Sequence, residues 1–271
     1  MPYTAFHITV DAHDNREALL GLLPEWGIDG IEETDDRIIA YAKRGSINLE
    51  HFSEHMERLH FQYTIEEVED QNWNQAWESN FESVLIPGKI QVRASFHAQD
   101  DFVPFSILIT PKMSFGTGHH ATTRMMLSLM LEHTLQDKSV LDFGTGTGVL
   151  AILAEKMGAR EIVAIDNDEW SITNAAENVL YNHCTRISVM NANSVHLLGM
   201  FDAVLANINK HVLLEQAEAL AQRLASKGTL IISGLLSSDY GEILKKYYPL
   251  MGHPVVQVVE NDWLALGFSK P

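Results

Sequence analysis

Residues Val140-Leu-Asp-Phe-Gly-Thr-Gly-Thr-Gly148, followed by Ile162-Val-Ala-Ile-Asp166, restrict the possible folds more than any other segment of this chain. An apolar strand runs into a loop with glycine at every second position. A helix follows, then a second apolar strand that ends in an acid 22 residues beyond Gly144. This is the layout of a nucleoside-binding βαβ unit. Glycine lets the backbone turn tightly and approach a ligand, and Asp166 sits where a carboxylate accepts from both ribose hydroxyls. A plain tight turn in an α/β sheet is the lesser reading, because the second acid falls at the expected distance of roughly 20 residues. The order Asp142-x-Gly-x-Gly-x-Gly148 is not the Gly-x-Gly-x-x-Gly of a dinucleotide site, which disfavours a nicotinamide dehydrogenase.

Around this unit, strand and helix patterns alternate. Strands are predicted at Val140–Phe143, Ile162–Ile165, Ile187–Asn191, Ala203–Ala206 and Thr229–Ser233, with helices at Val149–Met157, Glu169–Asn182, Val212–Leu224 and Tyr240–Tyr247. Val255–Glu260 and Trp263–Phe268 pair across a turn at Asn261-Asp262. Alternation of this kind gives a mostly parallel, doubly wound sheet with an antiparallel edge. Upstream, strands at Val84–Ile86, Gln91–Ala94 and Ser106–Ile109 precede a loop, Pro111–Thr123, and a helix from about Thr122 to Leu135.

The N-terminal region reads differently. Strand Tyr3–Val10 is followed by a helix over Asn15–Trp26, with Asp14 near its start and Ala18, Leu19, Leu22 and Leu23 on one face. Strands Ile28–Glu33 and Arg37–Lys43 join at Asp35-Asp36. The helix Leu49–Leu59 carries Phe52, Met56 and Leu59 as a buried stripe, and Gln62–Val68 closes the unit. The order βαββαβ predicts a ferredoxin-like α+β domain over 1–68. A helical linker, 69–82, places Trp73, Trp77 and Phe81 on one face, and packing between domains is preferred there to ligand stacking. Residues 83–271 form the α/β domain.

Composition excludes several classes. No run of about 18 apolar residues appears, so no membrane span is expected. The first residues lack the basic and apolar regions of a secretory signal, and the single Cys184 allows no intramolecular disulfide. These features point to the cytoplasm. A net charge of −17 repels nucleic acid phosphate and attracts a basic partner.

In open α/β sheets, ligands bind at the carboxyl ends of the strands near the topological switch point. Four segments should converge there: Asp142–Gly148, Asp166, Asn191-Ala-Asn193-Ser194 and Ala206-Asn-Ile-Asn209. A carboxamide directly after an apolar strand, as at Asn207, costs free energy unless it is hydrogen-bonded, and it can both accept and donate. Residue type alone favours a turn or cap for Asn207; Asn209 is the better candidate to cap the next helix. Thr122 and Thr123 stand at a predicted helix start, where capping and ligand contact are compatible. His119 and His120 lack a surrounding cluster with metal spacing, so no metal is expected. His51 and His55 lack the Glu of a His-Glu-x-x-His motif and read as a solvated face.

The glycine turn resembles motif I of class I S-adenosylmethionine-dependent methyltransferases. Further residues resemble the ribosomal protein L11 methyltransferase family: Asp70-Gln-Asn-Trp73-x-x-x-Trp77-x-x-x-Phe81, the loop Phe115-Gly-Thr-Gly-His-His-Ala-Thr-Thr123, Val140-Leu-Asp-Phe-Gly144 with Val163-Ala-Ile-Asp166, and Ala206-Asn-Ile208. The likeness spans nearly the whole chain and is weakest over 1–68. Two departures stand out. Gly-Thr-Gly-Thr-Gly replaces the commoner Gly-Cys-Gly-Ser-Gly, and Asn209-Lys-His follows Ala-Asn-Ile in place of smaller residues.

The resemblance implies a Rossmann-like methyltransferase domain that binds S-adenosylmethionine through Thr123, Gly144, Gly146, Asp166 and Asn207. It also implies an N-terminal domain that binds ribosomal protein L11. Asn207, with the backbone carbonyl of Ile208, is expected to orient an amine, either a lysine side chain or the N-terminal amine of L11. The alternative is another protein or a small-molecule amine. Direct nucleic acid binding is not expected, and a monomer is.

Overall fold

The computed structural model describes residues 3–10, 16–34, 37–68, 81–112, 115–196 and 198–271, and separates into two units, Met1–Phe81 and Glu82–Pro271. The expected helix start at Asp14-Asn15, the turn at Asp35-Asp36 and the linker helix bearing Trp73 and Trp77 lie outside the described residues.

The N-terminal unit runs β1 (Tyr3–Thr9), α1 (Arg16–Leu22), β2 (Gly30–Glu33), β3 (Arg37–Lys43), α2 (Leu49–Arg58), β4 (Gln62–Val68). Its sheet has the order β2-β3-β1-β4, with every pair antiparallel, as expected for a ferredoxin-like unit. Alternation decides which face is buried. Phe6 and Ile8 of β1 lie beside Ile38 and Ala40 of β3, and Leu19, Leu23, Phe52 and Met56 cover them. The Phe6 and Phe52 rings approach to 4.4 Å. α1 ends at Leu22, short of the expected Trp26, because Pro24 lacks the N–H that an α-turn needs; residues Leu23–Trp26 take a 3-10 turn closed by Gly27 at φ 89°. His55, read from sequence as part of a solvated face, stacks on Trp26 at 4.7 Å.

The second unit opens with a small sheet, β5 (Val84–Ile86), β6 (Ile90–Arg93) and β7 (Phe105–Leu108). Next come α3 (Ala121–Met130), β8 (Ser139–Phe143), α4 (Val149–Lys156), β9 (Glu161–Asp166), α5 (Glu169–Tyr181) and β10 (Ile187–Asn191). The remaining elements are β11 (Phe201–Asn207), α6 (Lys210–Arg223), β12 (Leu224–Leu236), α7 (Tyr240–Met251), β13 (Val256–Glu260) and β14 (Trp263–Ser269). The seven-stranded sheet has the order β10-β9-β8-β11-β12-β14-β13. Its first five strands are parallel and β14 is antiparallel to both neighbours. The chain winds outward from β8 through β9 to β10, then returns to place β11 on the other side of β8, so β8 and β11 flank the switch point.

The central strands β8 and β11 are buried on both faces, which is why they read as nearly continuous apolar runs. Val140, Ile162, Ala164 and Leu205 face one core with α3 and α4, while Leu141, Ile165, Val204 and Ala206 face the other with α6 and α7.

Three expected boundaries move by about a helical turn or more. α3 stops at Met130 rather than Leu135, as the Glu132 and His133 N–H groups turn back to the Leu129 and Met130 carbonyls. β12 spans Leu224–Leu236 rather than starting at Thr229. Ser226, Lys227 and Gly228 fall within it, at the point where the register jumps between Phe201 and Ala203 of β11 and Lys227 takes φ 62°. α7 continues past Tyr247 to Met251 despite Pro249 in its last turn, and Gly252, at φ 78°, follows it.

Phe52→Ala should destabilise the N-terminal unit by about 3–5 kcal/mol, since it removes a ring from the centre of that core. Ile65, 44% exposed on β4, should tolerate alanine within about 1 kcal/mol. Urea denaturation of the two variants tests this; equal effects would show that the Phe52 ring is not the keystone of that core.

Candidate functional site

Strand register brings the sequence-predicted groups into one row. Phe143 pairs with Ile165 on one side and with Ala206 on the other. The next residue along each strand is therefore Gly144, Asp166 and Asn207, at the carboxyl edge beside the switch point. Asn191 pairs with Asp166, and Ser233 pairs with Asn207. A cleft of about 650 Å3 opens there, within the usual range for a small-molecule site. Gly144, Gly146, Asp166, Ala192, Asn193 and Asn207 line it.

The glycines are needed first by the protein itself. Gly144, Gly146 and Gly148 all have positive φ, at 77°, 54° and 82°. A Cβ on Gly144 would come within 2.1 Å of the Ile208 side chain, and one on Gly146 within 2.3 Å of the Phe115 carbonyl. The turn is then tied down from below. Gly144 and Thr145 donate their N–H groups to the Ile165 carbonyl at 2.8 and 3.0 Å. The Thr145 hydroxyl donates to Asp142 Oδ2 at 2.6 Å, and the Ala151 N–H reaches the same oxygen at 3.2 Å. Asp166 accepts from the Gly146 N–H at 2.9 Å through Oδ2 and from the Asp168 N–H at 3.1 Å through Oδ1, so its carboxylate has a fixed orientation at the cleft.

The loop before α3 does not simply wrap over a ligand; its backbone is pinned to the glycine turn. The Thr147 N–H donates to the Phe115 carbonyl at 3.0 Å, and the Thr147 hydroxyl to the Gly116 carbonyl at 2.7 Å. Asn178, fully buried on α5, donates to the Thr147 carbonyl and accepts from the Thr110 N–H, each at 2.8 Å. The cap of α3 is His120, not either threonine: its Nδ1 accepts from the Thr122 N–H at 3.4 Å and bonds the Thr122 hydroxyl at 2.8 Å. Its ring lies 5.3 Å from Phe115 and 4.5 Å from Trp263. His119 bonds Thr117 Oγ1 at 3.0 Å and the Glu82 carbonyl at 2.9 Å. Asn209 caps α6, accepting from the Val212 N–H at 3.1 Å, as its position predicted.

Asn207 is 9% exposed and lines the cleft. Its Nδ2 donates to Thr123 Oγ1 at 3.3 Å, while its Oδ1 is buried without a partner among the described residues. Thr122 and Thr123 are both fully buried, and Thr122 lines the cleft. The Ile208 carbonyl packs against Gly234, where a Cβ would come within 2.1 Å of it.

Sequence reasoning passed over Gln216 and Trp263, which also line the cleft; Gln216 Oε1 is a second buried acceptor without a partner among the described residues. Gly234, near the end of β12 and at φ 86°, follows the predicted strand Thr229–Ser233 directly and marks a close backbone approach there.

The family model described as "Ribosomal protein L11 methyltransferase (PrmA)" matches residues 14–271. The chain belongs to that family. An L11 methyltransferase of Porphyromonas gingivalis is 39% identical over 258 residues, covering 91% of this chain and 88% of that protein. One of Chlorobaculum parvum is 36% identical over 279 residues, covering 96% and 93%. Among solved structures, an L11 methylase from Lactobacillus delbrueckii subsp. bulgaricus superposes with a TM-score of 0.66 at 24% identity over 70% of this chain and 99% of that one, which shows a shared fold.

As a member of the L11 methyltransferase family, the chain is an S-adenosylmethionine-dependent methyltransferase, and the residues present fit that molecule. A carboxylate held rigidly at the edge of β9 suits a pair of ribose hydroxyls, and the two orphan amide oxygens can accept N–H donors.

Burial pushes the Asp142 carboxyl up to about 7, opposed by its bonds from Thr145 and Ala151 and helped by the nearby Asp166 charge. Its Oδ1 has no partner among the described residues. An unfolded Asp ionises near about pH 3.9, so between there and about pH 7 the unfolded chain releases a proton that the folded chain keeps. Stability from this group therefore falls as pH rises through that window and is level above it. Asp142→Asn, which cannot ionise, should gain stability relative to the parent as pH climbs from about 4 to about 7. Urea midpoints of both proteins across that range test this; a constant difference would mean that Asp142 is ionised throughout.

Proposed function

We propose that this protein methylates amino nitrogens of ribosomal protein L11, on lysine side chains, the N-terminal amine or both, with S-adenosylmethionine as methyl donor. The observation that carries this reading is the orphan Asn207 Oδ1, buried in the same row as Gly144 and Asp166. An acceptor with nothing to accept from costs free energy unless an N–H donor arrives, and an amine brings one.

When bound, S-adenosylmethionine supplies an activated methyl carbon on a sulfonium. The chain's own residues supply alignment. Asp166 would hold the ribose hydroxyls, Gly144 and Gly146 would form the floor, and Asn207 would border the reacting end. Asn207 Oδ1 and the Ile208 carbonyl hold the amine by its N–H groups, so that its lone pair faces the methyl carbon. The nitrogen must arrive uncharged, although a free lysine ionises near about 10.4. Partial burial beside an acceptor favours the neutral form. Transfer would form the new N–C bond as the donor's sulfur left with the S–C electron pair, and the methylated nitrogen would pass its proton to water.

Residues 1–68 serve as the substrate-binding domain, 69–82 as the linker and 83–271 as the catalytic domain. We place the enzyme in the cytoplasm as a monomer that does not bind nucleic acid directly; the net charge of −17 supports basic, free L11 over RNA-bound substrate. Among the described residues, no helix is long and apolar enough to cross a membrane.

Incubation with radiolabelled methyl donor and isolated L11, RNA or buffer should place label in L11 alone. Asn207→Ala should slow that transfer by about 100-fold, the usual cost of one lost polar contact to a reacting group, with little change in urea midpoint. Activity within a few-fold of the parent would remove Asn207 from the reaction.

A further inference from the structure

We propose that the Gln216 carboxamide reads the base of the methyl donor: its Oε1 accepts from the 6-amino group of adenine, so the site prefers an adenosyl ligand to its 6-oxo analogue. This rests on the placement of the donor's ribose at Asp166 given above.

Gln216 stands in α6 among residues that pack. Leu213, Ala217 and Leu220 around it belong to one apolar core, and a leucine at this position would need no hydrogen bond. Gln216 is 9% exposed and lines the cleft, and its Oε1 is buried without a partner among the described residues. A buried amide oxygen costs free energy until a donor reaches it. Folding gains nothing from such an atom, whereas a ligand that brings an N–H group does.

Helical geometry decides which end of the cleft Gln216 serves. Arg223 lies two turns further along α6, on the same face, and its Nη1 donates to the Leu198 carbonyl at 2.9 Å, in the segment that joins β10 to β11. Glu218, on the opposite face, pairs with Lys246 of α7 at 2.9 Å. Gln216 therefore looks toward the segment after β10. That segment begins at Ala192, whose N–H donates to the Asp166 carbonyl at 2.8 Å. A base carried by a ribose on Asp166 falls at this end, away from Asn207 and Ile208. Ala192 and Val212, the latter one turn before Gln216, line the cleft and offer the apolar surface that a flat ring needs. Adenine presents an amino donor beside a ring-nitrogen acceptor, a pattern that a carboxamide matches with its oxygen and its nitrogen.

The test uses the intact protein and two probes, S-adenosylhomocysteine and S-inosylhomocysteine, which carry a 6-amino and a 6-oxo base on the same ribose. Calorimetry gives the Kd of each for the parent, Gln216→Leu and Asp166→Ala, and urea midpoints report folding. The parent should bind the adenosyl probe about tenfold more tightly, the worth of one hydrogen bond. Gln216→Leu should weaken the adenosyl probe by about tenfold and leave the inosyl probe within about twofold of the parent. Its urea midpoint should equal or exceed the parent's, since the orphan oxygen is gone. The proposal is overturned if the parent binds both probes equally, or if Gln216→Leu weakens both alike or neither. Asp166→Ala should weaken both probes to the same degree; no change in either would instead overturn the ribose placement.

Discussion

The turn Gly144–Gly148 can exist only because its polar groups are satisfied from inside the protein. Three residues with positive φ in five make a tight loop that exposes backbone on both sides. Left alone, such a loop would be floppy, because glycine constrains little. Here the Ile165 carbonyl takes two of its N–H groups, Asp166 takes a third, the Phe115 carbonyl takes a fourth, and both threonine hydroxyls point back into protein. The side facing the cleft is thereby rigid before any ligand arrives. Preorganisation of this kind is what lets binding energy go into alignment rather than into ordering the site.

Buried polar groups at the site divide into three kinds. Asn178 is satisfied at both ends and stitches α5 to two loops, which is structural work. Asn207 and Gln216 each keep an unsatisfied oxygen next to the cleft. A folded protein tolerates few such atoms, and their occurrence in the lining of one cleft marks where a ligand completes the structure. Asp142 is a third case: its Oδ1 is buried without a partner among the described residues, and burial raises its carboxyl to about 7.

What could be read from sequence was what depends on local backbone. The glycine spacing, the acid ending β9 and the apolar alternation each dictate geometry within a few residues, so the doubly wound sheet and the row Gly144, Asp166, Asn207 were legible. The Asn209 cap was legible for the same reason. The Asn207–Thr123 hydrogen bond was not, because it joins residues 84 apart across a helix whose start is set by His120, a residue seldom chosen to cap. Nor was the binding of residues 115 and 116 to Thr147, since two glycines in a loop announce freedom and say nothing of what the backbone will meet. The length of β12 was hidden by a bulge that looks, in letters, like a turn.

The double fastening of residues 115 and 116 to Thr147 makes floor and wall of the cleft a single mechanical body. Neither can loosen without dragging the other, so a ligand that quiets one quiets both. A substitution that merely slackens the wall is then felt as weaker affinity at a distance, through entropy alone and without the loss of a single ligand contact.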